Sequence, residues 1–317
     1  MAVVEASNAA IEAAAQALRG GKLVAFPTET VYGLGADATN GLAVAAIFAA
    51  KGRPRFNPLI VHVPDIDAAA RLGDPGDLGR QLAAAFWPGA LSLVMRKRTD
   101  CAVADLATAG LETIALRVPR HAVAQALLRT AGRPIAAPSG NLSGRVSPTT
   151  AAHVQADLGD RVAVILDGGA TSVGLESTVV DVTGDEPIVL RLGGIARDDL
   201  ARVLRRPLAV AAGDPDKPAS PGMLERHYAP AAKLRLDADA AGDGEALLAF
   251  GRLITRHAGP TINLSTSGDL TEAAANLFSA LRALDASGAR SIAVMPIPNE
   301  GLGEAINDRL RRAARTP

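Results

Sequence analysis

The sequence predicts an α/β fold: a mixed sheet with interleaved helices, followed by a smaller second α/β unit. Three observations predict it. Short apolar runs of strand length alternate with helix-like stretches through residues 1–206. Two of those runs, STVVDV and IVLRL, are joined by TGDEP, which reads as a hairpin and makes at least one pair antiparallel. From Arg206 the texture turns Pro- and Gly-rich without a clear period, and regular patterning resumes near residue 233. The chain therefore divides into residues 1–206, a linker 207–232 and a second unit 233–317.

Taken in order, Ser7 or Asn8 can cap a helix through Ile11 and Leu18 that Gly20-Gly21 stops. The strand Leu23 to Phe26 runs into PTETVYGLG. A helix from Leu42 to Ala50, the basic turn KGRPRFNP and the strand LIVHV follow. A further helix ends near Trp87, where Pro88-Gly89 breaks the chain before the strand LSLVM. Then come the strand TIALRV, a helix from Ala122 to Thr130, the short strand IAA and the loop PSGNLSG. A helix near Thr150 to Leu158 precedes VAVIL and the hairpin. In the second unit, ALLAFG and TINLS read as strands. Helix Leu270 to Leu284, strand SIAVM and a helix from Glu304 to Ala314 complete it.

Composition narrows the function classes. The 317 residues are 48% hydrophobic and 21% charged, a globular balance. Aromatics are only 3%, which disfavours a base-stacking surface. Lys+Arg and Asp+Glu are both 33, so the zero net charge disfavours broad nonspecific binding to nucleic acid or acidic membranes. A single cysteine, Cys101, excludes an intrachain disulfide, and the five histidines lack metal-ligand spacing. No apolar run reaches the ~18 residues of a membrane span. The N-terminus lacks a basic region of signal-peptide type, so a cytoplasmic location is expected.

Walker A, G-x-G-x-x-G after a strand, H-E-x-x-H and G-x-S-x-G are all missing. Bound phosphates would have to be held by side chains and by turns that expose N–H groups. In PTETVYGLG an extended Thr28-Glu29-Thr30 would put both threonine hydroxyls on one face; a strand end followed by a glycine turn reads it equally well. KGRPRFNPL gathers Lys51, Arg53 and Arg55, and Pro54 biases Arg53 away from the helical region, so Lys51 and Arg53 should point to one side. At ~4 Å and an effective dielectric of ~20, each cation–anion contact would gain roughly 4 kcal/mol before desolvation. That suits a polyphosphate, and a solvated basic turn is the plain alternative.

In ETIALRVPR, alternation places Thr113, Ala115 and Arg117 on one face, with Ile114, Leu116 and Val118 toward the core. Arg117 then needs an anion, either a structural carboxylate or a substrate's. APSGNLSGRVSPT follows an apolar strand, the usual place for ligands in open α/β sheets, and Ser147-Pro148 can cap the next helix. Ser177 and Arg191, taken alone, read as sheet residues, and His62 in LIVHV as a hydrogen-bonded core histidine.

Together and in this order, PTETVYGLG, KGRPRFNPLIVHV, TIALRVP, APSGNLSGRVSPT, ESTVVD and VLRLGGI resemble the YrdC-type domain of the threonylcarbamoyl-AMP synthase family, from about Ala9 to Arg205. SPGMLERHYAP and GLGEAINDRLRRAA resemble that family's longer, two-domain form. The resemblance implies a twisted mixed-sheet YrdC-like domain, a linker closing over its active site and a Rossmann-like C-terminal domain. It also implies a nucleotidyltransferase that converts L-threonine, bicarbonate or CO2 and ATP to threonylcarbamoyl-AMP and pyrophosphate, with Mg2+ accompanying ATP. Downstream proteins would transfer the threonylcarbamoyl group to tRNA; direct tRNA contact is left open. By motif, Thr30, His62, Arg117, Ser177 and backbone near Ala137 would surround threonine. Lys51, Arg53, Asn57, Thr113, Ser139, Ser147 and Arg191 would hold ATP, with Lys51 and Arg53 carrying the chemistry. Tyr228, with His227 beside it, would close over the nucleotide. One departure is Gly140, where the family usually has alanine. An RNA-binding YrdC-like module without adenylation activity is the alternative. A carbamoyl-transfer maturation factor is disfavoured because the zinc-finger and acylphosphatase regions of such proteins have no counterpart here.

Overall fold

The structure is a computed structural model that describes residues 2–54, 56–211, 228–252 and 258–315. Most of the linker, including His227, and Arg55 of the basic turn lie outside the described residues.

The first unit contains strands β1 (Ala2–Glu5), β2 (Val24–Phe26), β3 (Gly33–Asp37), β4 (Ile60–His62), β5 (Gly73–Asp74) and β6 (Leu91–Lys97). It continues with β7 (Thr113–Arg117), β8 (Ile135–Ala136), β9 (Val164–Asp167), β10 (Thr178–Asp181), β11 (Ile188–Arg191) and β12 (Ala209–Val210). Its helices are α1 (Asn8–Arg19), α2 (Gly41–Lys51), α3 (Ile66–Ala70), α4 (Gly76–Phe86), α5 (Asp105–Thr108), α6 (Ala122–Ala131), α7 (Ala151–Leu158) and α8 (Arg197–Leu204). The sheet order is β1-β9-β2-β3-β8-β4-β7-β6-β10-β11-β12, with β5 on β6. It is mixed: β4–β7 and β6–β10 are parallel, whereas β6–β7 and the expected hairpin β10–β11 are antiparallel.

Both faces of the sheet are covered, and the strands show how. Val24, Phe26 and Leu166 pack under α1 and α6, while the intervening Ala25 and Ile165 belong to the core under α2 and α7. Helix α1 fits its slot because Ile11, Ala14, Ala15 and Leu18 form one apolar stripe. Ser7 caps it by accepting from Ala10 N, settling the choice between Ser7 and Asn8.

Two expectations change, and one element is new. The GLG of PTETVYGLG is not a turn but the start of β3, with Gly33 and Gly35 in strand pairing to β2. Glycine is needed there because a Cβ on Gly35 would come within 2.8 Å of Ile135 and Phe26. The start of the expected linker, Ala209–Val210, extends the sheet beside β11. The N-terminal segment, to which the sequence reading assigned no element, forms edge strand β1 on β9.

The second unit is an all-parallel sheet of β13 (Lys233–Arg235), β14 (Glu245–Ala249), β15 (Thr261–Asn263) and β16 (Ser291–Val294), in the order β13-β16-β14-β15. Helices α9 (Leu270–Ala286) and α10 (Leu302–Ala314) pack on it, giving a Rossmann-like α/β layer. Sequence reading found each of these elements except β13, whose three residues alternate with charge. The core of this unit runs on into the first through Val31, Val146 and Leu175. Polar ties reinforce that junction: Arg282 to Asp157 at 2.6 Å, Arg197 to Glu304 at 2.6 Å, and Thr149 to Ser279 at 2.7 Å. At Gly174 (φ +73°) the backbone of α9 is so near that a Cβ would lie 2.4 Å from Ala274 O. No helix among the described residues is long and apolar enough to cross a membrane.

Candidate active site

Strand direction assembles the site. Because β6 and β10 run opposite to β4, β7 and β11 or beside them in antiparallel pairs, the ends carrying His62, Arg117, Ser92, Ser177 and Arg191 all reach one edge of the sheet. There His62, Arg117, Ser177 and Arg191 line a cavity with Thr30, Arg53, Ala137, Ser139, Glu176 and Tyr228, and Ser92 stands behind Ser177. The space left between these side chains is about 40 Å³.

At one end stands Arg117, 4% exposed. Its guanidinium donates to Glu29 Oε1 at 2.7 Å, Thr30 Oγ1 at 2.9 Å and Gly89 O at 3.2 Å. The anion that Arg117 requires is thus supplied by the chain. Three of its five N–H donors are used this way, which leaves two. Burial pushes the Glu29 carboxyl up, but the charge and hydrogen bonds of Arg117 outweigh that and hold it below the ordinary value. Thr28 and Thr30 do bring their hydroxyls together, at 2.7 Å. The cause is not strand alternation, however: Thr28 Oγ1 donates to Val31 O and accepts from Val31 N, which closes a local turn.

His62 is 3% exposed and lies edge-on to the Phe26 ring at 6.2 Å. Burial, with the nearby Arg117 charge, lowers its pKa to about 3, so it is neutral at physiological pH. It is a buried core histidine as expected, and its Nδ1 has no hydrogen-bond partner. Next to it, Ser177 Oγ shares a hydrogen bond with Ser92 Oγ at 2.8 Å and accepts one from Arg191 at 3.1 Å. Arg191 also donates twice to Ser177 O.

The basic turn divides its work. Lys51, in the last turn of α2, donates to Ser139 O at 2.6 Å and to Asn141 O. Its charge is thereby placed behind the 139–141 loop rather than in the cavity itself. Burial first, then the Arg53 charge, lowers its pKa well below the ordinary lysine value. Gly52 in the left-handed region ends the helix and lets the chain turn so that Arg53 reaches the cavity. Burial, with Arg191 nearby, brings Arg53 down to about 10, still protonated at neutral pH. Neither Lys51 nor Arg53 forms an ion pair among the described residues. Arg53 Nε and both polar atoms of the Asn57 side chain, itself fully buried, have no hydrogen-bond partner.

Ser147 does not cap α7; Thr150 does, accepting from His153 N. The Ser147 hydroxyl instead donates to Glu176 Oε1 at 2.5 Å. Thr113 sits at the far end of β7, opposite Arg96, and does not line the cavity. It shares a face with Arg117 but stands ~13 Å along the strand. Asn141 Nδ2 donates to Leu142 O and Arg145 O, while its buried Oδ1 has no hydrogen-bond partner. Tyr228 is fully buried at the mouth, with φ +64° and its ring stacked on Phe278 at 5.6 Å.

Sequence reading passed over two acidic groups and one base. Glu29 and Glu176 were read merely as parts of motifs, and Arg309 of α10 was not singled out. Glu29 is the one charge in PTETVYGLG, but Glu176 and Arg309 lie among other charged residues, and all three become meaningful only when distant segments meet. Among the described residues no group of three or more His, Cys, Asp or Glu could hold a metal ion.

Comparisons with known proteins agree with this architecture. Residues 16–193 match the family model described as Telomere recombination (Sua5_yciO_yrdC). Residues 195–315 match that of the Threonylcarbamoyl-AMP synthase, C-terminal domain. Over 96% of its length the chain is 43% identical to the threonylcarbamoyl-AMP synthase of Bacillus subtilis, covering 92% of that protein. It is 41% identical to that of Pyrococcus abyssi, covering 96% of this chain and 94% of the other. The crystal structure of P. abyssi Sua5 complexed with L-threonine superposes with a TM-score of 0.90 at 37% identity, covering 97% of this chain and 95% of that one. The chain belongs to the threonylcarbamoyl-AMP synthase family, in its two-domain form.

Proposed function

We propose that the protein joins L-threonine, bicarbonate or CO2 and ATP into threonylcarbamoyl-AMP with release of pyrophosphate. One observation carries this reading. A carboxylate-ready arginine, Arg117, opens onto the same cavity as Arg53 and Arg191, beside buried polar atoms of Arg53, Asn57 and His62 that the chain leaves without partners. Such atoms are costly to bury unless a ligand engages them.

The two remaining N–H donors of Arg117 take the threonine carboxylate, while Thr30, Ser177, neutral His62 and backbone at Ala137 surround its amine, hydroxyl and methyl. The threonine amine adds to CO2 and loses a proton, giving the carbamate. A carbamate oxygen then attacks the α-phosphorus of ATP, and the bond to the β-phosphate oxygen breaks as pyrophosphate leaves. Arg53, Arg191 and Asn57 stabilise charge on the phosphates, and Lys51 holds the loop of Ser139 against them. Ala115, Ile60 and Val179 form an apolar floor between Arg117 and Thr113, along which the nucleotide can lie with Thr113 at its far end. Mg2+ would accompany ATP, held by the phosphates and water, and would supply neutralisation of phosphate charge. Tyr228 covers the mouth, which protects the carbamate and the mixed anhydride from hydrolysis. The product serves proteins that transfer its threonylcarbamoyl group to an adenosine of tRNA, a reaction sequence that fits a cytoplasmic location.

The test is incubation with ATP, bicarbonate and labelled threonine. Threonine-dependent pyrophosphate and a labelled adenylate are expected. ATP-independent RNA binding with a steep salt dependence, and no pyrophosphate, would favour the RNA-binding alternative.

A further inference from the structure

Glu176 places a carboxylate on the wall of a cavity whose other charged groups, Arg53, Arg117 and Arg191, are cationic. A negative charge there opposes phosphate binding unless something holds and neutralises it. What does so comes from the other domain. Arg309 of α10 is completely buried, and its Nε donates to Glu176 Oε2 at 2.9 Å. The opposite oxygen, Oε1, accepts from Ser147 at 2.5 Å, so the carboxylate is gripped on both sides. Arg309 is itself fixed: NH2 donates to Leu192 O at 2.7 Å, NH1 pairs with Asp308 at 2.7 Å, and the guanidinium carbon lies 4.8 Å from the centre of the Tyr228 ring.

We propose that Arg309 is a positioning residue of the nucleotide site, which masks the Glu176 charge and keeps that carboxylate away from Arg191. The charge of Glu176 already acts on Arg191; without Arg309 the two would pair, and that pair would engage the guanidinium proposed to bind phosphate. The second domain thereby completes the electrostatics of the first. The inference rests on the reading that Arg53 and Arg191 bind ATP phosphates.

The test compares wild type, Arg309→Met, Arg309→Lys, Glu176→Gln and the double variant Arg309→Met/Glu176→Gln in the full chain. ATP binding is followed by calorimetry, folding by thermal melting, and KM values for ATP and threonine by pyrophosphate release. Arg309→Met should weaken ATP binding by at least ~10-fold while leaving the threonine KM within about threefold. Adding Glu176→Gln should recover most of that loss, because the charge to be masked is gone. Should Arg309→Met not fold, Arg309→Lys carries the comparison, with a smaller loss that Glu176→Gln again relieves. Equal loss for ATP and threonine, or a double variant as impaired as the single one, overturns the proposal. A wild type that fails to bind ATP instead overturns the nucleotide reading, and one that binds ATP without forming the adenylate overturns the function alone.

Discussion

Arg117 and Glu29 form an ion pair at 2.7 Å with side chains 5% and 4% exposed, joining the end of β7 to the turn before β3. Breaking such a pair from one side leaves a bare buried charge. Glu29→Ala should therefore cost about 3–5 kcal/mol in urea unfolding, whereas an exposed pair is worth about 1 kcal/mol or less. A loss under ~1 kcal/mol would mean that Arg117 finds another anion.

The same arginine links stability to substrate. Threonine at 100 times its Kd should stabilise the wild type by about 2.7 kcal/mol. Arg117→Met should abolish that threonine-dependent gain in thermal melting. Retention of the full shift would remove Arg117 from the threonine site.

For ATP the sharpest single change is Arg53→Ala. Loss of one positioned cation on the phosphates should lower kcat/KM for ATP by about 100-fold or more. Steady-state pyrophosphate release measures it, and near-normal turnover would overturn the site assignment.

Side-chain discrimination follows from pocket chemistry. Serine lacks only a methyl group, so it should be used about 10–200-fold less efficiently than threonine. Valine lacks the hydroxyl and should give no detectable adenylate, since the proposed pocket would meet a methyl group where it offers polar atoms. Valine turnover equal to that of threonine would sink the threonine assignment.

His62 gives a pH prediction with a definite sign. Its folded pKa of about 3 lies below the ordinary 6.5 because burial opposes protonation. Above pH 6.5 both folded and unfolded forms are neutral and no penalty exists. Below it the unfolded chain takes up a proton that the folded one refuses, so stability falls until about pH 3. Between pH 7 and pH 5 the wild type should lose about 2 kcal/mol more than His62→Leu. Urea titrations of both proteins at the two pH values measure it, and parallel losses would show that His62 is not held neutral.

Much of this was legible in the sequence because strand and helix periods are local. The stripe of α1, the hairpin at TGDEP and the second unit's helices were all readable from spacing alone. β3 was not, since GLGAD carries turn-forming residues and becomes a strand only because Phe26 and Ile135 leave no room for a side chain at Gly35. Ser147 illustrates the same limit for the site. A Ser-Pro before a helix looks like a cap, yet its hydroxyl goes to Glu176, 29 residues away, because the fold brings a carboxylate there. Glu176 and Arg309 lie 133 positions apart, beyond the reach of any local pattern.

Tyr228 lines the cavity while its ring stacks on Phe278 and lies against the Arg309 guanidinium, both of the second unit. One wall of the cavity is thus anchored in the core of that unit. Because a packed interior transmits strain, a substitution in that core, remote from every group proposed to touch substrate, would be felt as a change in the shape of the pocket.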